Sequence, residues 1–307
     1  MPAFNAGSYI GYAVESILNQ TYLNFELIII DDFSADNTIS IIESFVDTRI
    51  ILLKNDSNKG IVYSLNRGIS ISKGTFIARM DADDISISNR LEIQLAQFLL
   101  NNRLVLCGSF YNVLYGNKVI RKTILPVKDE EIKKRMLFHN PICHPSVMFK
   151  RELWDLVKYK EENVGCEDYA FWLECSSFGE YYNIPFPLLL YRVHAENISL
   201  KSNSIRDLRL YSLLKINIKK YLGYDLLDKS LTSKDIINII GRIKNDKLIF
   251  EGFIEYLLNY KLFDFSLFYK FGLNTAVTSL KVFLQIRISN FRYRLKIYSI
   301  ERGSIFN

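Results

Sequence analysis

Four cysteines, three histidines and six prolines are few for a chain of 307 residues. The cysteines are Cys107, Cys143, Cys166 and Cys175. They include no CxxC pair and no zinc spacing, so they read as reduced core thiols of a cytosolic protein. No run of about 18 uncharged apolar residues occurs, which argues against a spanning helix. The longest candidate, 271–288, is broken by Lys281 and Arg287. The opening Met1-Pro2-Ala3-Phe4-Asn5 lacks the basic and apolar runs of a signal peptide. Neither GxGxxG nor GxxxxGKS/T is present, and no nucleophilic triad stands out. Any phosphate must therefore be held by a metal and by basic side chains.

What is present suits a packed protein. Apolar residues make up 49% and the formal net charge is +6, which favours a sizeable core and excludes disorder. The mild basicity fits a phosphate-bearing ligand or an anionic membrane surface, and is too dispersed to indicate nucleic acid.

The first part alternates helix and strand patterns. Ser8 is placed to cap a helix with Ile10, Val14, Ile17 and Leu18 inward. Residues 25–30 form a nearly continuous apolar run, the signature of a buried parallel strand, ending in Asp31-Asp32. Helices are expected over 38–46 and 61–72, strands over 49–53 and 75–80, and a further helix over 89–101 with Leu91, Leu95, Phe98 and Leu99 inward. Two β-α-β units would thus place Asp31-Asp32 and Asp81 to Asp84 at the carboxyl ends of strands, where ligands bind in open α/β sheets. Further on, 105–115 and 118–123 read as a hairpin turning at Gly116-Asn117, 129–138 and 167–178 as helices, and 188–193 as a last strand. After Ser199 the pattern turns helical, setting a boundary near 200.

Several residues could carry chemistry. Asp81 and Asp83, two apart beyond a strand, could share a divalent cation, or Asp83 or Asp84 could cap the next helix. Asp31 and Asp32 could accept hydrogen bonds from a base or ribose, or cap a turn. Asp168, beside Glu167 and among Tyr169, Phe171 and Trp172, could act as a general base, or simply cap its helix. His194 could ligate a metal or lie in the core or surface. Arg192 could clamp a phosphate or form a surface pair.

In order along the chain, these pieces resemble the GT-A-fold glycosyltransferases of family 2. Pro2-Ala3-Phe4-Asn5 is similar to the family's Pro-x-Tyr-Asn opening. The run Asp31-Asp32-Phe33-Ser34-Ala35-Asp36 resembles its Asp-Asp-x-Ser-x-Asp block. Asn58-Lys59-Gly60, Asn66-Arg67-Gly68, Asp81-Ala82-Asp83-Asp84, His144-Pro145-Ser146, Glu167-Asp168-Tyr169 and Tyr191-Arg192-Val193-His194 follow in register. The resemblance covers about residues 1–200. It implies a mixed α/β, Rossmann-like sheet flanked by helices, with a helical annex over 201–307.

By position, it also implies roles. Pro2, Ala3 and Phe4 would line the nucleotide base, and Asp32 would accept from a uracil imide. Asp81 would face the ribose or the metal's water shell. Asp83 and His194 would hold Mn2+ or Mg2+, with Arg192 near the diphosphate. Asp168 would deprotonate the acceptor in an inverting transfer from a UDP-sugar to a glycan or lipid-linked hydroxyl, as in surface polysaccharide biosynthesis. Family members carry an apolar strand before the Pro-x-Tyr-Asn motif, whereas this sequence starts inside it. Either the true start lies upstream or a core strand is lacking; the second expectation is a sheet with its first strand missing and weakened base binding.

In the annex, Lys281, Arg287, Arg292, Arg294, Lys296 and Arg302 stand against Glu301 alone, interleaved with Phe283, Phe291, Tyr293 and Tyr298. Such a segment either lies peripherally on the inner face of the cytoplasmic membrane or packs its rings on the catalytic domain. Rival readings are a nucleotidyltransferase, which would normally need an early basic Gly-rich loop, and a non-catalytic nucleotide-sugar-binding homologue.

Overall fold

The computed structural model describes residues 1–194, 197, 205, 209, 210, 212–214, 216, 217, 246 and 249. The basic aromatic segment 281–302 and nearly all of 201–307 lie outside the described residues. The chain divides into two compact units, Met1–Met136 with Asn140–Leu213, and Leu137–His139 with Leu214–Asn307. The first carries all the elements described below.

A three-stranded parallel sheet begins it, in the order β1 (Pro2–Ala3), β2 (Leu27–Asp31), β3 (Ile50–Lys54). Every residue of β2 is buried because both faces are covered. Leu27 and Ile29 pack with Ile10, Val14 and Ile17 of α1 (Ile10–Leu18). Ile28 and Ile30 point the other way, towards α3 (Ile61–Ile71). There Gly68 lies so close that an added Cβ would sit 3.3 Å from Ile30 Cγ1. The strand expected to be missing is present as a stub. Met1 and Ala3 carbonyls accept from Ile30 and Asp32 amides at 2.9 and 2.7 Å, so the ladder runs through Pro2–Ala3.

Helix α1 starts at Ile10 with Tyr9 at its cap and no side-chain cap bond, so Ser8 does not cap it. The Ala6 carbonyl takes the Tyr9 and Ile10 amides instead. Helix α2 (Thr38–Glu43) does use Asp36, whose Oδ1 accepts from the Thr38 amide at 3.0 Å.

Only the first of the two expected β-α-β units forms a parallel pair. The strand β4 (Phe76–Ala78) leaves the first sheet and pairs antiparallel with β8 (Met148–Lys150). The second sheet runs β4-β8-β6-β9-β5, with β6 spanning Leu104–Tyr115, β9 Glu180–Arg192 and β5 Ile85–Ser86. The strand β7 (Lys118–Thr123) extends from β6 through the turn at Gly116, whose φ of 55° suits glycine. β9 is longer than expected because register shifts against β6 absorb Pro185 and Pro187.

In α4 (Arg90–Leu100) the inward face also departs from the expectation: Leu99 is 79% exposed, whereas Arg90 and Gln94 are buried. Both are tolerated because they are hydrogen-bonded to buried partners. Arg90 donates to Gln94 Oε1 and to the Arg79 and Val147 carbonyls at 3.0, 2.7 and 3.1 Å. Gln94 donates to the Cys107 and Ser146 carbonyls at 2.8 Å. This cluster ties β4, β6 and the segment before β8 into one block. Arg90→Met strips donors from three buried acceptors, so urea unfolding should show a loss of about 2–4 kcal/mol; an unchanged midpoint would contradict this account.

Candidate functional site

At the end of β2 the chain turns sharply. Asn5 and Phe33 both adopt positive φ, 47° and 68°. Asp31 Oδ2 accepts from the Ser34 amide at 3.1 Å, a turn-capping role, while its buried Oδ1 has no partner. Asp32 does something different. Its Oδ1 accepts from Asn55 Nδ2 at 2.6 Å and the Lys59 amide at 2.8 Å, and its Oδ2 from the Gly60 amide at 2.8 Å. Gly60 reaches it with φ 86°, a conformation glycine adopts without strain. A carboxylate offers about four acceptor positions, so Asp32 keeps one on Oδ2. Ala3 is buried beside Asp31, Pro2 is half-buried, and the Phe4 ring is 51% exposed, free to stack on a planar ligand.

The turn between β4 and β5 carries Asp81, Asp83 and Asp84, whose ligand atoms lie within 4.8 Å of one another. Neither Asp83 nor Asp84 caps α4, whose N-cap is Asn89 without a side-chain bond, so the capping alternative falls. Asp81 is gripped by the Arg79 guanidinium, with contacts at 2.5 and 2.8 Å. Asp83 Oδ2 meets His194 Nε2 at 2.9 Å and Asn197 Nδ2 at 3.2 Å. Asp84 Oδ1 accepts from the Arg192 amide at 2.8 Å, while its buried Oδ2 has no partner. Burial, then the neighbouring acids, pushes Asp83 upward and Asp84 well upward from the ordinary carboxylate range. Clustered oxygen donors with an unpartnered buried oxygen fit a hard divalent cation.

Arg192 holds this turn from behind. Its Nε donates to the Asp83 carbonyl at 2.8 Å and its NH1 to the Gly116 carbonyl at 3.2 Å. Its guanidinium lies 4.9 Å from the Tyr9 ring, and the same ring lies 4.8 Å from His194.

Asp168 opens α7 (Glu167–Cys175) behind Cys166 at the N-cap. Its Oδ1 accepts from the Tyr169 amide and its Oδ2 from Asn140 Nδ2, both at 2.7 Å. Burial first, and Glu167 second, pushes its carboxyl up to about 7. That value suits a group that must take up a proton near neutrality. The sequence reading did not assign functional roles to Arg79, Asn140, Tyr159 or Asn197. Arg79, two residues from Asp81, offered a local signal, and so did Asn140, which stands beside Pro141 just before His144-Pro145-Ser146. A surface cleft of about 520 Å³ lined by Gln97, Leu100, Lys128 and Tyr182 contains none of the site residues.

This arrangement, a short parallel sheet feeding a mixed sheet with acids between them, is the GT-A type of glycosyltransferase fold. Staphylococcus aureus TarS 1–349, solved in complex with UDP-GlcNAc, superposes with a TM-score of 0.60 over 83% of this chain and 78% of that one, at 16% identity. The family model described as glycosyl transferase family 2 matches residues 1–156. An uncharacterised glycosyltransferase of Haemophilus influenzae is 32% identical over 263 residues, 80% of this chain and 81% of that protein. The Escherichia coli UDP-Glc:alpha-D-GlcNAc-diphosphoundecaprenol beta-1,3-glucosyltransferase WfgD is 33% identical over 209 residues, 68% of this chain and 81% of that protein. The chain belongs to glycosyl transferase family 2 and is a glycosyltransferase.

The raised carboxyl of Asp168 carries a stability consequence. Unfolding returns the group to the ordinary aspartate pKa of 3.8, so the native state binds the extra proton and loses stability as pH rises from about 4 to 7. Asp168→Asn should therefore raise the unfolding temperature by about 2–4 °C at pH 8, where its charge is gone. At pH 4 the gain should vanish; a pH-independent difference in thermal scans would refute the assignment.

Proposed function

We propose that this glycosyltransferase moves a sugar from a UDP-sugar to a hydroxyl of a glycan or lipid-linked acceptor, with inversion, in surface polysaccharide biosynthesis. The carrying observation is the acidic group Asp81, Asp83 and Asp84 within 4.8 Å, in the same unit as the Asp32 cradle and the Asp168 carboxyl. Asp32 uses its remaining acceptor position for an imide N–H, with Phe4 stacked on the base and Pro2 and Ala3 forming the floor. Asp81, turned by Arg79, faces the ribose or the ion's water shell. Asp83 and His194 would hold Mn2+ or Mg2+, which when bound offsets the charge of the departing diphosphate. Arg192 fixes the Asp83 backbone and so positions the turn. Asp168 takes the acceptor proton as the hydroxyl attacks the anomeric carbon in line. The diphosphoundecaprenol in the name of the Escherichia coli relative supports a lipid-linked acceptor.

A thermal-shift screen of UDP-, GDP- and dTDP-sugars with and without Mn2+ tests the donor. Stabilisation by UDP-sugars that needs Mn2+ and disappears in Asp83→Ala is expected. Asp168→Asn should keep that stabilisation yet lose about 10²–10⁴-fold in turnover. Stabilisation by GDP-sugars alone, or wild-type turnover in Asp168→Asn, sinks the reading.

We further propose that residues 1–200 form the catalytic domain and that the region 201–307 meets the acceptor or the inner face of the cytoplasmic membrane. No described helix is long and apolar enough to cross a membrane. Flotation with anionic liposomes should weaken when Arg292, Arg294 and Lys296 become Gln; equal partitioning would end the membrane proposal.

A further inference from the structure

Asn66, Arg67 and Gly68 form one turn of α3, and nothing in the proposed chemistry uses them. Their contacts run in two directions. Arg67 NH1 donates to the Lys54 carbonyl at 2.9 Å and to Asn55 Oδ1. Asn55, 6% exposed, passes the contact on through its own Nδ2 to Asp32 Oδ1 at 2.6 Å. An Asn55 amide whose oxygen is held by Arg67 must present its NH2 to Asp32.

Asn66 faces the other way. Its Nδ2 donates to the Tyr159 carbonyl at 2.8 Å, and its Oδ1 accepts from Trp154 Nε1 at 2.8 Å. Trp154 belongs to α6 (Arg151–Leu156), and Tyr159 to the loop that leads from it to α7. The Tyr159 ring stacks on Phe171 of α7, centroids 4.7 Å apart and 19° from parallel, and its hydroxyl meets His144 Nε2 at 3.0 Å. Phe171 stands less than one turn beyond Asp168. Gly68 lets this turn press against β2, where its missing Cβ leaves room for Ile30.

We propose that the turn Asn66–Gly68 is a two-way positioning brace: through Asn55, Arg67 orients Asp32 for the nucleotide, and through Tyr159, Asn66 orients the helix that carries Asp168. Neither residue touches the reacting atoms, so both are positioning residues. The inference rests on the roles given above to Asp32 and Asp168, and it predicts a separation that a general packing role would not produce. Partners that orient a functional group typically change its performance by about 10–100-fold when removed.

The test uses the full chain with Mn2+. UDP affinity is measured by calorimetry, UDP release from UDP-glucose and UDP-N-acetylglucosamine by turnover, and local opening by amide hydrogen exchange. Arg67→Met should weaken UDP about tenfold and speed exchange over 55–60, leaving exchange over 157–169 unchanged. Asn66→Ala should lower turnover about 10–100-fold and speed exchange over 157–169, with UDP affinity within about twofold of wild type. Asn66→Asp keeps the acceptor for Trp154 but replaces the donor to Tyr159, so it should behave like Asn66→Ala. Arg67→Lys, which retains a donor, should recover part of the affinity. Both variants perturbing both regions, or neither perturbing its own, overturns the brace. If Asn66→Ala does not fold, Asn66→Asp decides that arm. A wild-type chain that neither binds UDP nor turns over the donors refutes the donor reading instead, and hydrogen exchange still decides the brace.

Discussion

Carboxylates repel, and this chain gathers Asp81, Asp83 and Asp84 within 4.8 Å in a partly buried turn. The fold around that turn can be understood as the set of contacts that make such crowding tolerable. Arg79, 6% exposed, forks onto Asp81. His194 and Asn197 converge on Asp83, and the Arg192 backbone donates to Asp84. Arg90 fixes the carbonyl of Arg79 and so the strand end from which the acids project. A buried charge persists only when paired and hydrogen-bonded, and these partners come from three places: the end of β4, the start of α4, and the end of β9 with the residues just after it. The second sheet is what brings those elements together.

Asp32 and Asp168 are held differently. Asp32 is fixed by two backbone amides and one side-chain amide. Asp168 has one backbone amide, one side-chain amide and an acidic neighbour, and its carboxyl rises to about 7. Two acids of the same type thus acquire different surroundings: one is held by three donors, the other is pushed upward by burial and an acidic neighbour. Helix α3 connects the two neighbourhoods, with the Gly60 amide at its start on Asp32 and Asn66 in its middle on Tyr159.

Much of the frame was legible because its signals are local. Three isoleucines in a row announced a strand covered on both faces, and Gly116-Asn117 announced a hairpin. Local pattern failed where a distant partner changed the rule. Leu99 fits a helical stripe yet lies in solvent, because Arg90 and Gln94 find buried carbonyls from β4, β6 and the segment before β8. The last strand, expected only over 188–193, begins at Glu180, because a shift of register against β6 carries it past Pro185 and Pro187. The strand thought missing survives as Pro2–Ala3, because two residues suffice for a ladder when Ile30 and Asp32 supply the amides.

By itself the sequence determined which residues could do chemistry: a carboxylate pair spaced to share a cation, an acid opening an aromatic helix, and motifs in the order that family 2 uses. Which partners hold a given aspartate, and how deeply it is buried, was decided only by tertiary structure. Asp84 meets Arg192 across 108 residues and Asn66 meets Tyr159 across 93. Desolvation and hydrogen bonding depend on distance in space, and no spacing along the chain encodes those distances.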